Sequence, residues 1–280
     1  MLEFEVDAPV RLIEFLRRCL PEWKRSTLEQ RLRAGAVQVN ERRVSRNELL
    51  AAGDRVRVES VAQAAAQRPP PAGIAIVHED EDLIAIDKPA GLLAVASPDE
   101  RERTAHALLR EYLSRGGGDV RLWPVHRIDR ETSGVLLFAK SREAQQAVQS
   151  RWDAARKIYL ALVEGAPRPA SGGIDQPLWE DQALFVRVGD RPESKPARTH
   201  YKTLEARGPQ TLLEVELDTG RRHQIRAHLA WLGHPIVGDA RYGKPGPRLM
   251  LHGFHLFVEH PRDGRELALE APAPKWAALR

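Results

Sequence analysis

His126, Arg127, Asp129, Arg130 and Glu131 crowd a stretch of six positions directly before an apolar run from Val135 to Ala139. Thr132, Ser133 and Gly134 join the two. A plain turn needs a Gly and one Asp. Holding several charged groups beside a strand that must be buried is costly without a purpose. The pattern therefore predicts a catalytic loop mounted on a core strand, with Asp129 as its carboxylate. For an isolated Asp, capping a turn is the simpler reading; the crowding of His126, Arg127 and Arg130 argues for more.

Two familiar chemistries fail on spacing. "HRID" departs from the H-R-D of a kinase catalytic loop because Ile128 splits it. No Asn stands where the second metal ligand belongs, and Gly-rich phosphate loop and D-F-G are both missing. In "HQIRAH", His223 and His228 lie five residues apart with no Glu between them, unlike the metal-binding H-E-x-x-H helix. Histidines that face solvent or make hydrogen bonds are expected there, and no metal site.

The elements that must position these groups can be read from the periodicity. "IAIVHED", "DLIAIDK", "GVLLFA", "KIYLALVEG", "ALFVRVG", "THYKTLEA" and "TLLEVELDTG" read as strands. "HALLREYL", "SREAQQAVQSRW" (entered at Ser141) and "RRHQIRAHLAWLG" read as helices. Strands dominate and few helices intervene, which predicts an α+β domain on an extended mixed or antiparallel sheet. Upstream, "RLIEFLRRCL" places Leu12, Ile13, Leu16 and Leu20 at helical spacing. "STLEQRLRAG" opens with Ser26 and Glu29 as a capping box and stops at Gly35. Two short alternating strands follow, "AVQVN" and "GDRVRVE". The expected organisation is a small α/β unit over residues 1–60, an Ala- and Pro-rich extended spacer over 61–73, and a second domain over 74–280.

Composition narrows the partner. Hydrophobic residues make up 42% of the 280-residue chain and charged residues 29%, as in a globular protein. Membrane spans need roughly 18 apolar residues in a row, which nothing here approaches. "MLEFEVDAPV" has no basic stretch followed by an apolar one, so no secretory leader is expected. The one cysteine, Cys19, excludes an internal disulfide and fits a reducing cytoplasm. Net charge is +4, but residues 10–46 hold ten Lys or Arg against four Glu. An excess concentrated in one small region points to a polyanion such as nucleic acid.

"HRIDRETSG" resembles the H-R-[LI]-D-x-x-T-S-G signature of the RluA-type pseudouridine synthases. "KIYLALVEG" and "TGRRHQIRAHLAWLGHPIVGDARYG" resemble that family's second and third blocks, in the family's order. "DLIAIDKPAGL" and "ARTHY" resemble further segments. Ile128 stands where Leu is commonest, and Arg222 where Thr or Ser is usual. Residues 1–60 resemble an S-four-type RNA-binding domain through Arg25-Ser26, Gly35, Val37, Val39-Asn40 and Gly53-Asp54.

The resemblance implies the pseudouridine synthase fold and a cofactor-free isomerisation of uridine in RNA. Asp129 would be the essential carboxylate, Tyr159 the active-site tyrosine and Arg226 the active-site arginine. Pseudouridine formation breaks the N1–C1′ bond, turns the uracil and rejoins it through C5. Asp129 could attack C1′, take a proton from C2′ or stabilise positive charge. Buried alone, it would be neutralised; a bidentate Arg226 fork is expected to keep it ionised. Tyr159 would pack against the uracil. RNA contacts are expected from His126, Arg127, Arg221 and His223 beside the site, and from Lys24, Arg25, Arg31 and Arg33 in the N-terminal unit. Structured large-subunit ribosomal RNA is the leading substrate by resemblance, and transfer RNA the second. A non-catalytic RNA-binding or ribosome-assembly protein is the competing class. The expected protein is a cytoplasmic monomer with no membrane partner.

Overall fold

Helical apolar spacing and alternating strands build the N-terminal unit in the computed structural model, which describes residues 1–66, 70–71, 73–96, 103–114 and 120–279. Its elements are β1 (Leu2–Glu5), β2 (Val10–Arg11), α1 (Leu12–Cys19), α2 (Arg25–Arg33), β3 (Val37–Val39), β4 (Arg42–Val44), β5 (Leu49–Leu50) and β6 (Arg55–Val58). α1 buries Leu12, Ile13, Phe15 and Leu16. Leu28 and Leu32 of α2 join them over a four-stranded antiparallel sheet ordered β1-β6-β3-β4. The expected capping box does not form: α2 begins at Arg25, with Lys24 as its N-cap and no side-chain cap. Glu29 instead meets Arg25 at 2.9 Å and Arg33 at 3.6 Å, the spacing at which helical side chains are neighbours. Gly35 does stop the helix, in the left-handed conformation that glycine adopts without strain.

The spacer differs from expectation. Its first six residues form a helix, α3 (Val61–Ala66), whose Val61 and Ala64 pack on Ala34 and Ala36. Alanine is the strongest helix former, and here it outweighs the pull of the prolines that follow. Residues 67–69 and 72 of the spacer lie outside the described residues.

The larger part contains β7 (Ala75–Glu79), β8 (Leu83–Lys88), α4 (Ala105–Ser114), β9 (Trp123–Pro124), β10 (Ser133–Ala139), α5 (Arg142–Gln149), β11 (Arg156–Glu164), β12 (Ser171–Asp175), β13 (Leu178–Glu180), β14 (Val186–Val188), β15 (Arg198–Arg207), β16 (Gln210–Leu217), α6 (Gln224–Trp231), β17 (Leu251–Glu259) and β18 (Glu266–Glu270). Its ten-stranded sheet runs β12-β15-β16-β11-β17-β10-β8-β7, with β18 beside β17 and β9 beside β10. β10 and β17 pair in parallel, and the other ladders of this sheet are antiparallel. The architecture is therefore α+β on an extended mixed sheet, as the sequence predicts. "ALFVRVG" yields a strand only over Val186–Val188, because residues 181–184 turn and Leu184 takes a positive φ of 58°.

The apolar run of β10 is explained by burial on both faces, which removes any polar alternation. Leu137 packs with Ala144 and Val148 of α5 on one side. Leu136 and Phe138 pack with Leu109 and Leu113 of α4 on the other. At the parallel seam Gly134 faces Gly253. A Cβ on Gly134 would lie 2.1 Å from the Gly253 carbonyl oxygen, and its φ is +118°. The glycine of "TSG" after the polar loop is thus a demand of backbone approach.

The two parts touch through polar groups. Arg31 meets Glu81 at 2.9 Å, and Gln30 and Arg262 both hydrogen-bond Asp82.

Candidate active site

The loop between β9 and β10 is pinned from several sides. His126 Nε2 accepts the Leu137 N–H at 3.1 Å, and its ring stacks on Trp152 with centroids 5.1 Å apart. Burial, with Lys157 nearby, pushes the His126 imidazole down to about 4, so it stays neutral and acts as an acceptor. The fully buried Lys88 donates through Nζ to the carbonyls of Pro89, Leu92 and Arg130 at 2.9, 2.7 and 3.0 Å. Arg130 and Gly91 exchange two further hydrogen bonds. Burial lowers the Lys88 ammonium to about 8, against the pull of Glu131, Asp129 and Asp87. These anchors hold the backbone around Asp129 while its carboxylate faces a cleft.

That cleft is lined by Asp129, Tyr159 and Arg226 together with apolar Ile128, Leu217, Ile225 and Leu251. Tyr159 sits on β11 at a register shift, opposite Gly253. A Cβ on Gly253 would lie 3.4 Å from the Tyr159 ring, so the two pack directly against each other. Burial, reinforced by the negative charge of Asp129, raises the Tyr159 phenol well above its ordinary range. It is protonated at neutral pH and cannot act there as a phenolate base without a change in its surroundings.

Arg226 departs from expectation. Its Nε and Nη2 both donate to Asp239 at 2.8 Å, while Nη1 reaches Asp129 Oδ2 at 3.3 Å. The bidentate partner is Asp239, not Asp129. Burial alone would raise the Asp239 carboxyl; the Arg226 fork and the N–H groups of Arg241 and Tyr242 override it and hold it below the usual range. Asp239 thus fixes the arginine, and the arginine offers its remaining N–H edge to Asp129. Sequence reasoning assigned no role to Asp239 or Lys88, although both lie in quoted segments, "VGDARYG" and "DKPAGL".

The other expected residues divide. Arg127, Arg221 and His223 line the cleft. His126 holds the loop through the Leu137 N–H and the Trp152 ring. His228 is buried between Thr199 Oγ1 and the Gln176 carbonyl, at 2.8 and 3.0 Å, a hydrogen-bonding histidine. Lys24, Arg25, Arg31 and Arg33 lie apart, on α2 and its N-cap. Among them Arg31 is half-buried. It stacks over Trp23 at 4.3 Å and pairs with Glu81, so it serves the contact between the two parts and is not available as expected.

With the fold and cleft in place, comparison with known proteins gives the class. The signature of the RNA pseudouridylate synthase family matches residues 82–231, a span that includes Asp129, Tyr159 and Arg226. An uncharacterized RNA pseudouridine synthase of Chloroflexus aurantiacus is 43% identical over 197 residues, spanning 67% of this chain and 62% of that one. The ribosomal large subunit pseudouridine synthase D of Nitrosomonas europaea is 34% identical over 286 residues, covering 95% of this chain and 82% of its own. The solved human RNA pseudouridylate synthase domain containing 4 superposes with a TM-score of 0.62 at 25% identity, over 72% of this chain and 90% of its own. Fold and matches define an isomerase that acts on uridine in RNA. The chain belongs to the RNA pseudouridylate synthase family.

Proposed function

We propose that the chain isomerises specific uridines of structured large-subunit ribosomal RNA, with Asp129 as the reacting carboxylate. The observation that carries this is the Asp129 carboxylate facing an apolar-walled cleft, its Oδ2 3.3 Å from Arg226. Extruding a base from RNA costs a few kcal/mol. Apolar Leu217, Ile225 and Leu251 with the Tyr159 ring suit a flat uracil, and Asp129 would meet the sugar. Arg226 sets a fixed cation 3.3 Å from Asp129 inside the cleft. Tyr159 stacks on the base in its protonated form. Arg127 and Arg221, both exposed at the cleft, would hold phosphates beside the target. Residues 1–60 act as an S-four-type RNA-binding unit. Their exposed Arg17, Arg18, Lys24 and Arg25 border one groove with Trp23.

Ribosomal RNA is favoured over transfer RNA because long matches, including that of Nitrosomonas europaea, bear the name of a large-subunit enzyme. The test is a map of pseudouridine in RNA from a deletion strain, by carbodiimide-stopped reverse transcription. Loss of a stop in large-subunit RNA is the expected result. A stop lost only from transfer RNA would replace the substrate, and an unchanged map would favour a binding or assembly role.

A further inference from the structure

His223 stands at the N-cap of α6 with φ 51° and ψ 19°, a left-handed backbone that a non-glycine residue adopts at a cost. That conformation turns its ring into the cleft. Nε2 lies 3.7 Å from Asp129 Oδ2, and Nδ1 lies 3.0 Å from the Tyr242 hydroxyl. The Tyr242 oxygen already accepts the Val186 N–H at 3.2 Å. Burial raises the Tyr242 phenol above its ordinary range, so it keeps its proton. That proton is best placed to go to His223 Nδ1, which leaves the imidazole proton on Nε2, facing Asp129. Asp129 favours the same tautomer, because a bare Nε2 lone pair would repel Oδ2. Burial, opposed by Asp129 and aided by Arg226, Arg222 and Arg241, pushes the imidazole down to about 4. The ring is then uncharged at neutral pH and cannot hold a phosphate as a cation.

We propose that His223 is a positioning residue for Asp129: Tyr242 fixes its tautomer, and its Nε2–H is directed at the carboxylate that reacts. The assignment rests on Asp129 being that carboxylate. Arg226 Nη1 and His223 Nε2 then approach the same oxygen, Oδ2, and leave Oδ1 to the substrate. Tyr242 is itself set by the β13–β14 hairpin, through the Val186 N–H and the Phe185 ring 4.6 Å away. The hairpin therefore reaches the reacting group through two side chains, Tyr242 and His223.

The test uses the full chain in excess over C5-tritiated bulk RNA from cells lacking the protein, so that tritium release reports a single turnover. His223→Asn removes the donor at Nε2 and should slow release by about tenfold, as for loss of a polar group facing the reacting carboxylate across 3.7 Å. His223→Gln restores an N–H near that place and should recover most of the rate, with RNA affinity little changed in both. Tyr242→Phe should slow the unaltered chain by about tenfold yet have no further effect beside His223→Gln, because an amide has no tautomer to fix. Equal effects of Tyr242→Phe in both backgrounds would overturn the proposal. So would a His223→Asn that weakens RNA binding and its salt dependence while leaving the bound turnover rate intact. Asp129→Asn separates the two readings: if it stays active the carboxylate assignment itself fails, and if it is dead the outcomes above concern His223 alone. Should the variants fail to fold, nitrogen-15 spectra of the histidine-labelled unaltered chain still decide. Nδ1 of His223 must be the unprotonated nitrogen, and a proton found there refutes the tautomer.

Discussion

Arg226 grips Asp239 with two hydrogen bonds of 2.8 Å and reaches Asp129 with a third of 3.3 Å. The side chain of Asp239 is wholly buried and that of Asp129 is 26% exposed. The arginine is thus anchored by one carboxylate and presented to another. An anchored cation can stabilise charge in the cleft without reorganising when the substrate enters.

The two contacts should differ in weight. Asp239→Ala should destabilise the fold by about 3 kcal/mol, because it leaves two donors of a buried guanidinium unpaired. Asp239→Asn should also be costly, since its amide N–H groups would confront the donors of Arg226 and of the Arg241 and Tyr242 backbone. In urea denaturation cycles, the Arg226–Asp239 coupling should exceed the Arg226–Asp129 coupling by about 1 kcal/mol or more. Equal couplings would mean that Asp129 shares the anchoring role.

This pairing marks where sequence reading stops. The loop around Asp129 was legible because five polar groups before an apolar run defy the usual economy of a turn. The β11 tyrosine and the α6 arginine were legible through resemblance. Asp239 was not, because its meaning arises only when the turn after α6 folds back on that helix. Lys88 was hidden similarly: its three carbonyl partners come from two separate segments. β17 carries "LHGFHLFVE", whose histidines and glycine break the strand pattern. His252 there bonds Ser133 at 2.9 Å, and Gly253 serves the seam. The capping box at Ser26 was a local rule that failed because the helix begins one residue earlier, at Arg25, which places Ser26 inside it.

Asp129→Asn keeps the shape of the side chain and removes its charge. Tritium release from C5-labelled RNA should be abolished, while affinity changes little, since positioning comes mainly from phosphate contacts elsewhere. Near-normal turnover by this variant would falsify the carboxylate assignment.

Gly134→Ala should be among the most damaging single changes in the chain. Its Cβ would collide with the Gly253 carbonyl, and an alanine at φ +118° is strained in any surroundings. A loss of about 4 kcal/mol or more is expected, at the exceptional end of point substitutions. Thermal melting of the variant checks this, and a melting temperature within a few degrees of the unaltered chain would show that the parallel seam can open.

His126 makes stability depend on acid. Its folded pKa is about 4, below the ordinary value of 6.5. Between those two values the unfolded chain binds a proton that the folded chain does not, so unfolding becomes easier as pH falls from about 6.5 towards 4. His126→Gln keeps an acceptor for the Leu137 N–H and removes the titration. Its stability curve, measured by urea denaturation at several pH values, should be flatter across that window. A curve parallel to that of the unaltered chain would assign the acid sensitivity to other groups.

Salt dependence separates RNA contacts from surface charge on the N-terminal unit. Arg17, Arg18, Lys24 and Arg25 are exposed and border one groove, whereas Arg31 is committed to Glu81. Changing the first four to alanine should weaken RNA affinity and flatten its dependence on salt. Each lost phosphate contact reduces the log–log slope by about 0.9 for duplex and about 0.7 for single strands. Turnover of bound RNA should persist, because the cleft residues all lie beyond residue 120. Arg31→Ala should behave oppositely. It breaks the contact with Glu81 and the stacking on Trp23, so it should lower the melting temperature while leaving the salt slope nearly unchanged. A slope that falls for Arg31→Ala but not for the fourfold variant would move the RNA path from the groove to the junction between the two parts.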